Sequence, residues 1–293
     1  MAAPFPIAWL NGEFLPLEEA RISPLDRGFL FADGAYEVVP VHRGRPFRLR
    51  AHLARLDRSL DEIRIARPLD HGQWSEIVGE LAARAGAAEQ LVYIQVTRGT
   101  EFGRNHLFPP TGTPPTLFAF TGPYPPPSAA TLAQGLSAVT LQDIRRDRCD
   151  IKSVALLGNV LLRQQAQDQG AAEALLVRDG QLLEGSSSTV FIVTRGLLAT
   201  PPDGHHILPG TSRDAIVELA RDWRPCESRP IAASELATCD EVWIASAGRG
   251  VLPVTRIDGR PVGDGKPGRA WQAMYARLQK HLDDIASTPA LTP

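Results

Sequence analysis

The residues best suited to chemistry lie in a few short segments. Lys152 stands in RCDIKSVALLGN (148–159), an ammonium at the edge of a stretch that otherwise reads as core. An unpaired buried charge is expensive, so this lysine either reaches solvent or is used. Desolvated, it has a lowered pKa and can attack a carbonyl to form a Schiff base. Glu184 ends a strand-like run at LLEGSSS, where a carboxylate can project into a cleft. Gly210, Thr211 and Ser212, in LPGTSRDAIVELA, open a helix whose first backbone N–H groups are available to an anion. Arg55, in HLARLDRS, adds a guanidinium on a helix. Each has a plainer explanation taken singly: a snorkelling lysine, a solvated glutamate, an N-cap, a surface arginine. Together they meet the needs of pyridoxal 5'-phosphate: an amine for its aldehyde, an acid for its pyridine nitrogen, and a helix start with a cation for its phosphate.

The elements that must position these residues follow from patterning. IAWLNGEFLPLEEARI alternates around Asn11-Gly12 and YEVVPVHRGRPFRL around Arg43-Gly44, so both are hairpins. Leu53, Leu56, Leu60 and Ile63 fall at helical spacing within 52–65, and 74–87 is a second amphipathic helix. QLVYIQVTRG and PTLFAFTG are strands joined by a loop. GPYPPPSAA is a proline-stiffened linker, which divides the chain into an α+β domain at 1–121, a linker at 122–130 and a second α+β domain at 131–293. Beyond the linker LSAVTLQDI is a strand, 153–169 a helix stopped by Gly170, and EALLVRDGQLLEGSSSTVFIV a hairpin at Asp179-Gly180 followed by a strand. GTSRDAIVELARDW opens a helix, DEVWIASAG and GVLPVTRIDGRPV are strands, and 269–285 is the last helix before a frayed tail.

The 293 residues suit two domains sharing a cleft, and 43% hydrophobic residues are enough to bury a normal core. A formal net charge of -2 gives no reason to expect nucleic acid or an anionic membrane as partner. No apolar run approaches transmembrane length, and MAAPFPIAWLNGEF has no signal-peptide pattern. Cys149, Cys226 and Cys239 have neither a disulfide framework nor metal-ligand spacing. A reduced, cytoplasmic enzyme without a metal is expected.

On these segments the chain resembles the fold-type IV pyridoxal-phosphate aminotransferases, from about Leu10 to about Leu278. DRGFLFADGAYEVV resembles the family's N-terminal signature, CDIKSVALLGNVL the segment of the Schiff-base lysine, EGSSSTVF the acid segment, ILPGTSRD the phosphate cup and HLARL the phosphate arginine. The resemblance implies a two-domain fold with pyridoxal phosphate in the interdomain cleft and Lys152 as the catalytic residue. It gives Glu184 the pyridine nitrogen, Leu208 the ring face, and Arg55, Gly210, Thr211 and Ser212 the phosphate, with Ser187, Ser246 and Ala247 also against the cofactor. Arg104 and His106, in VTRGTEFGRNHLFP, match the Arg-x-His pair of D-amino-acid aminotransferases. In that class the pair crosses from a partner subunit and holds the substrate's α-carboxylate with Tyr36; Gly248 lies at the substrate end. The implied reaction moves an amino group between a D-amino acid, such as D-alanine or D-glutamate, and pyruvate or 2-oxoglutarate, in a homodimer.

Two stretches depart from the family. Thr189 stands where asparagine is usual, and IASAGRG has Ala247 and Gly248 where hydroxyl residues are usual, with Arg249 adding a charge. The alternatives are an (R)-amine or branched-chain amino-acid transaminase, an aminodeoxychorismate lyase, and a non-catalytic ligand-binding protein.

Overall fold

Asn11 and Gly12 take positive φ (48° and 107°) and close the hairpin of β1 (Ala8–Leu10) and β2 (Glu13–Leu15). The computed structural model describes residues 3–287. After β2 come α1 (Arg27–Phe31), β3 (Gly34–His42), β4 (Arg45–Pro46), α2 (Leu49–Glu62), α3 (His71–Ala85), β5 (Gln90–Thr97) and β6 (Thr116–Pro123). The strands form one antiparallel sheet in the order β2-β1-β6-β5-β3-β4. Val39 and Val41 of β3 pack with Leu53, Leu56 and Leu60 of α2 and with Trp74, Val78 and Leu81 of α3. The helical spacing of those leucines is what lays α2 on the sheet.

The next elements are α4 (Ala129–Gln134), β7 (Leu136–Gln142), α5 (Leu157–Asp168), β8 (Glu173–Arg178), β9 (Gln181–Gly185), β10 (Thr189–Thr194), β11 (Leu197–Thr200) and α6 (Thr211–Ala220). They are followed by β12 (Cys226–Ser228), β13 (Ile231–Ala232), β14 (Glu241–Ser246), β15 (Gly250–Ile257), β16 (Arg260–Pro261) and α7 (Arg269–Ser287). Their sheet is mixed, in the order β12-β11-β10-β14-β15-β7-β8-β9-β13, with β16 on β15. β7 runs parallel to both β8 and β15. Val190, Ile192, Val242, Ile244 and Val254 centre one core on this sheet, and Leu162, Ala166 and Leu176 another.

The fold is thus α+β, in two units. The first comprises the described residues of Met1–Pro125 and of Ile285–Pro293, with Ile151–Ala155; the second comprises Pro126–Asp150 and Leu156–Asp284. A division by chain position puts Lys152 in the second part; by contacts its segment belongs to the first. The 122–130 stretch is ordered at both ends, since β6 runs to Pro123 and Ser128 caps α4.

The helix expected from Ser153 begins instead at Leu157. Ser153 forms a bridge with Ala35, and Val154 N–H donates to Gly34 O at 3.1 Å. Backbone groups committed to β3 are not available to a helix. The short helix α1, not foreseen, is opened by Asp26, whose side chain accepts from Gly28 N–H at 2.7 Å.

Candidate active site

Lys152 is held beside β3 through its backbone. Its N–H donates to Ser59 Oγ at 3.1 Å, and its carbonyl accepts from Tyr36 N–H at 3.0 Å. The side chain is half-buried, with Nζ 4.2 Å from the centroid of the Tyr36 ring. Among the described residues it has no carboxylate partner. Lys152 and Tyr36, picked out separately in the sequence, are therefore neighbours, and the Tyr36 ring stacks in turn on Tyr93 at 5.6 Å.

The opposite face of β3 carries Glu37, which is 0% exposed. Arg55 donates to it through Nε (2.7 Å) and Nη2 (2.9 Å), and His52 Nδ1 lies 2.8 Å away. His52, Arg55 and Ser59 fall at i, i+3 and i+7 on α2, which puts them on one face toward β3 and the Lys152 segment. Burial pushes the Glu37 carboxyl up, but the Arg55 guanidinium and the His52 ring outweigh it and hold the carboxyl far below its ordinary range. Burial also lowers the His52 pKa, against the pull of Glu37, so His52 is a neutral ring donating from Nδ1. Arg55, read as a phosphate arginine, thus has two nitrogens on a carboxylate that sequence reasoning missed. The signal was available: an acid in the strand-forming run YEVV, once buried, must find a cation inside. Glu37→Ala strands a buried guanidinium and should destabilise the protein by roughly 3–5 kcal/mol. Urea unfolding checks this, with Glu37→Gln expected to lose less.

Arg104 and His106 are both exposed. They gather on Phe31, with the Arg104 guanidinium 5.2 Å and the His106 ring 5.2 Å from its ring centroid. Their loop is held from below. Buried Arg27 donates to Asp33 (2.9 Å), Glu101 (3.1 Å) and the Asn105 carbonyl (2.8 Å). Arg98 joins Asp33 from the other side at 2.7 Å and 2.9 Å.

In the second unit Glu184 is the penultimate residue of β9 and is buried. Arg145 Nη1 donates to Oε1, and Leu208 N–H points at both carboxylate oxygens (3.4 and 3.3 Å). Arg145 is itself braced by Asp143 at 2.9 Å, which Arg178 also meets at 3.2 Å. Burial raises the Glu184 pKa to about 6 even against Arg145, so it is an anion at neutral pH. Arg145 and Asp143 were missed in the sequence, hidden in the charge-rich QDIRRDR. Leu208 is half-buried two residues before Gly210, the N-cap of α6, which has no side chain to cap the helix. A Cβ at Gly210 would come within 2.7 Å of Thr189 Oγ1 and 3.2 Å of Arg213 Cβ, so this close approach requires glycine. Thr211 and Ser212 form the first turn of α6, where backbone N–H groups favour an anion. Ser187 is exposed in the segment after β9, and Ser246, Ala247 and Gly248 lie half-buried where β14 turns into β15.

The donor set suits pyridoxal phosphate. It offers an amine without a carboxylate partner, a buried carboxylate kept anionic and fixed from behind by an arginine, and a helix start with no side-chain cap. Among the described residues no group of three or more His, Cys, Asp or Glu could hold a metal ion.

The amino-transferase class IV family model matches residues 34–257. The chain is 37% identical over 275 residues to the D-alanine aminotransferase of Staphylococcus epidermidis, covering 94% of this chain and 97% of that protein. It is 36% identical over 280 residues to the D-alanine aminotransferase of Bacillus licheniformis, covering 95% and 98%. Its fold matches that of the Escherichia coli branched-chain amino acid aminotransferase with a TM-score of 0.89 at 23% identity, over 96% of this chain and 94% of that one.

Proposed function

The chain belongs to the class IV aminotransferases, and from that premise we propose that it transfers amino groups between D-amino acids, such as D-alanine or D-glutamate, and 2-oxo acids, such as pyruvate or 2-oxoglutarate. The carrying observation is the pairing of Lys152 with Tyr36, in a chain that also has the Arg104-x-His106 pair and is 37% identical to a D-alanine aminotransferase. Pyridoxal phosphate, when bound, supplies the carbonyl that takes the amino group and the electron-withdrawing ring that acidifies the substrate's Cα–H.

Lys152 is the base that removes the Cα proton, with its half-buried amine 4.2 Å from the centroid of the Tyr36 ring. Glu184 places an anion at the ring nitrogen, and Arg145 keeps that carboxylate in place. Leu208 packs on the ring. Thr211 and Ser212 at the start of α6, with Gly210, Arg55, Ser187, Ser246 and Ala247, contribute to the phosphate and ring contacts. Arg104, His106 and Tyr36 hold the α-carboxylate, and Gly248 leaves room for the side chain.

We assign the Arg104–His106 loop to a homodimer interface. Phe102 (93% exposed) and Leu107 (72%) lie within or next to this loop in sequence and are large apolar side chains left open on the single chain. A second copy covering it would desolvate Arg104 and His106. Sedimentation should give a dimer. The three cysteines are free, which supports the cytoplasm, and no helix among the described residues is long and apolar enough to cross a membrane.

A donor panel tests the assignment. D-alanine and D-glutamate should react with 2-oxoglutarate or pyruvate far faster than L-leucine or (R)-amines do. Preference for L-leucine would favour a branched-chain enzyme, and pyruvate release without an acceptor a lyase.

Glu184 also sets a pH dependence. Its folded pKa of about 6 lies above the ordinary carboxylate value, so in the cofactor-free chain its burial penalises folding as pH rises through that range. A cation at the ring nitrogen favours the anion. Cofactor affinity should therefore be full above about pH 6 and fall as Glu184 protonates below it. Equilibrium dialysis across pH checks this, and Glu184→Gln should flatten the profile.

A further inference from the structure

Glu173, on β8, is 0% exposed, and none of the chemistry above uses it. A carboxylate survives burial only when paired and hydrogen-bonded. Its Oε1 accepts from Ser186 Oγ and from Ala174 N–H at 3.0 Å. Its Oε2 accepts from Arg249 Nη1 at 3.0 Å and Ser188 Oγ at 3.1 Å, with Ser187 Oγ at 3.5 Å. Arg163, on α5, brings a second guanidinium to 3.8 Å. One buried carboxylate thus holds two pieces of backbone far apart in sequence: the Ser186–Ser188 segment and the turn between β14 and β15.

That turn has little else to fix it. Ala247, Gly248 and Gly250 offer no polar side chain, and Gly250 sits at φ 64°, the left-handed position that closes a three-residue hairpin loop. Arg249 N–H donates to Ser246 O at 3.2 Å. Among the described residues, the side-chain hydrogen bond made from 246–250 is that of Arg249 to Glu173. Beyond the Ser246–Gly250 ladder pair, Arg249 is the side chain that ties this turn to a neighbouring segment.

Resting on the reading that Ser187, Ser246 and Ala247 face the cofactor, we propose that Arg249 is a positioning residue. Its ion pair with Glu173 ties the 246–250 turn to the Ser186–Ser188 segment and sets both against the cofactor, in place of the side-chain donors absent at Ala247 and Gly248. The pair is charge-assisted and its carboxylate is fully buried, so its loss is felt at both ends. Ser186 is further fixed by Asn159, whose side-chain amide donates to its carbonyl at 2.8 Å, so loosening should concentrate at Ser187 and Ser188.

The test uses the holoenzyme and three variants, Arg249→Ala, Arg249→Lys and Glu173→Gln. Arg249→Ala should speed pyridoxal phosphate release on dialysis on the order of 10- to 100-fold and also lower the melting temperature of the cofactor-free protein, because buried Glu173 loses its closest cation, and Arg249→Lys should restore most of both. Hydrogen exchange in the cofactor-free protein should quicken at 187–188 as well as at 247–250 in Arg249→Ala and in Glu173→Gln. Unchanged release in Arg249→Ala, or faster exchange confined to the turn, overturns the proposal. Where Arg249→Ala does not accumulate folded, Arg249→Met, which keeps the stem, carries the same comparison. Failure of the wild type to take up pyridoxal phosphate would sink the cofactor reading instead, and the exchange arm still decides whether the tie exists.

Discussion

Lys152→Ala should fold and lose nearly all transamination. The contacts that hold residue 152 run through its backbone, to Ser59 Oγ and to Tyr36 N–H, and alanine keeps both. What disappears is the amine and its contact with the Tyr36 ring, the latter worth about 0.5–1 kcal/mol. That is small beside a stability of roughly 5–15 kcal/mol, so circular dichroism and the melting temperature should stay near wild type. Activity should behave differently. Removing a positioned proton-transfer group alone lowers rate by on the order of 100- to 10,000-fold, and losing the covalent attachment of the cofactor adds to it. Borohydride should fix the cofactor to wild type at Lys152 and to no residue of the variant, read by peptide mass. A variant that still transaminates near the wild-type rate would show the lysine assignment to be wrong.

Arg104→Ala should lower kcat/KM for D-amino acids on the order of 30- to 1,000-fold, or roughly 2–4 kcal/mol. The size of this effect depends on burial. An exposed ion pair is worth about 0–1 kcal/mol, and Arg104 is exposed on the single chain, resting on Phe31. The larger figure therefore requires a second copy to desolvate the loop. Two comparisons separate the contributions. Primary amines carry no carboxylate, so their kcat/KM should change little in the variant. Dilution below the dimer dissociation constant should abolish the difference between wild type and Arg104→Ala. Equal losses for amino acids and amines would remove Arg104 from the carboxylate site.

Much of the local structure was legible in the sequence. Hairpins at Asn11-Gly12, Arg43-Gly44 and Asp179-Gly180 form as their turn residues require, each with positive φ at both positions. The amphipathic period put α2 and α3 on a sheet, and Gly210-Thr211-Ser212 opened α6. Lys152 and Glu184 stood out as candidates through their joint occurrence with a helix start and an arginine, since each alone has a plainer explanation. These are short-range rules, carried by φ/ψ sterics, side-chain period and the free N–H groups of a helix start. Tertiary structure decided what each ionisable group meets. It drew Ile151–Ala155 onto β3 and delayed α5 to Leu157, because backbone pairing with Gly34, Ala35 and Tyr36 outcompeted the helix. It placed Glu37 against His52 and Arg55, Arg145 behind Glu184, and Arg249 on Glu173. A buried charge must be paired, but nothing local says with whom, since the partner is chosen by sheet order and by the face a distant helix presents.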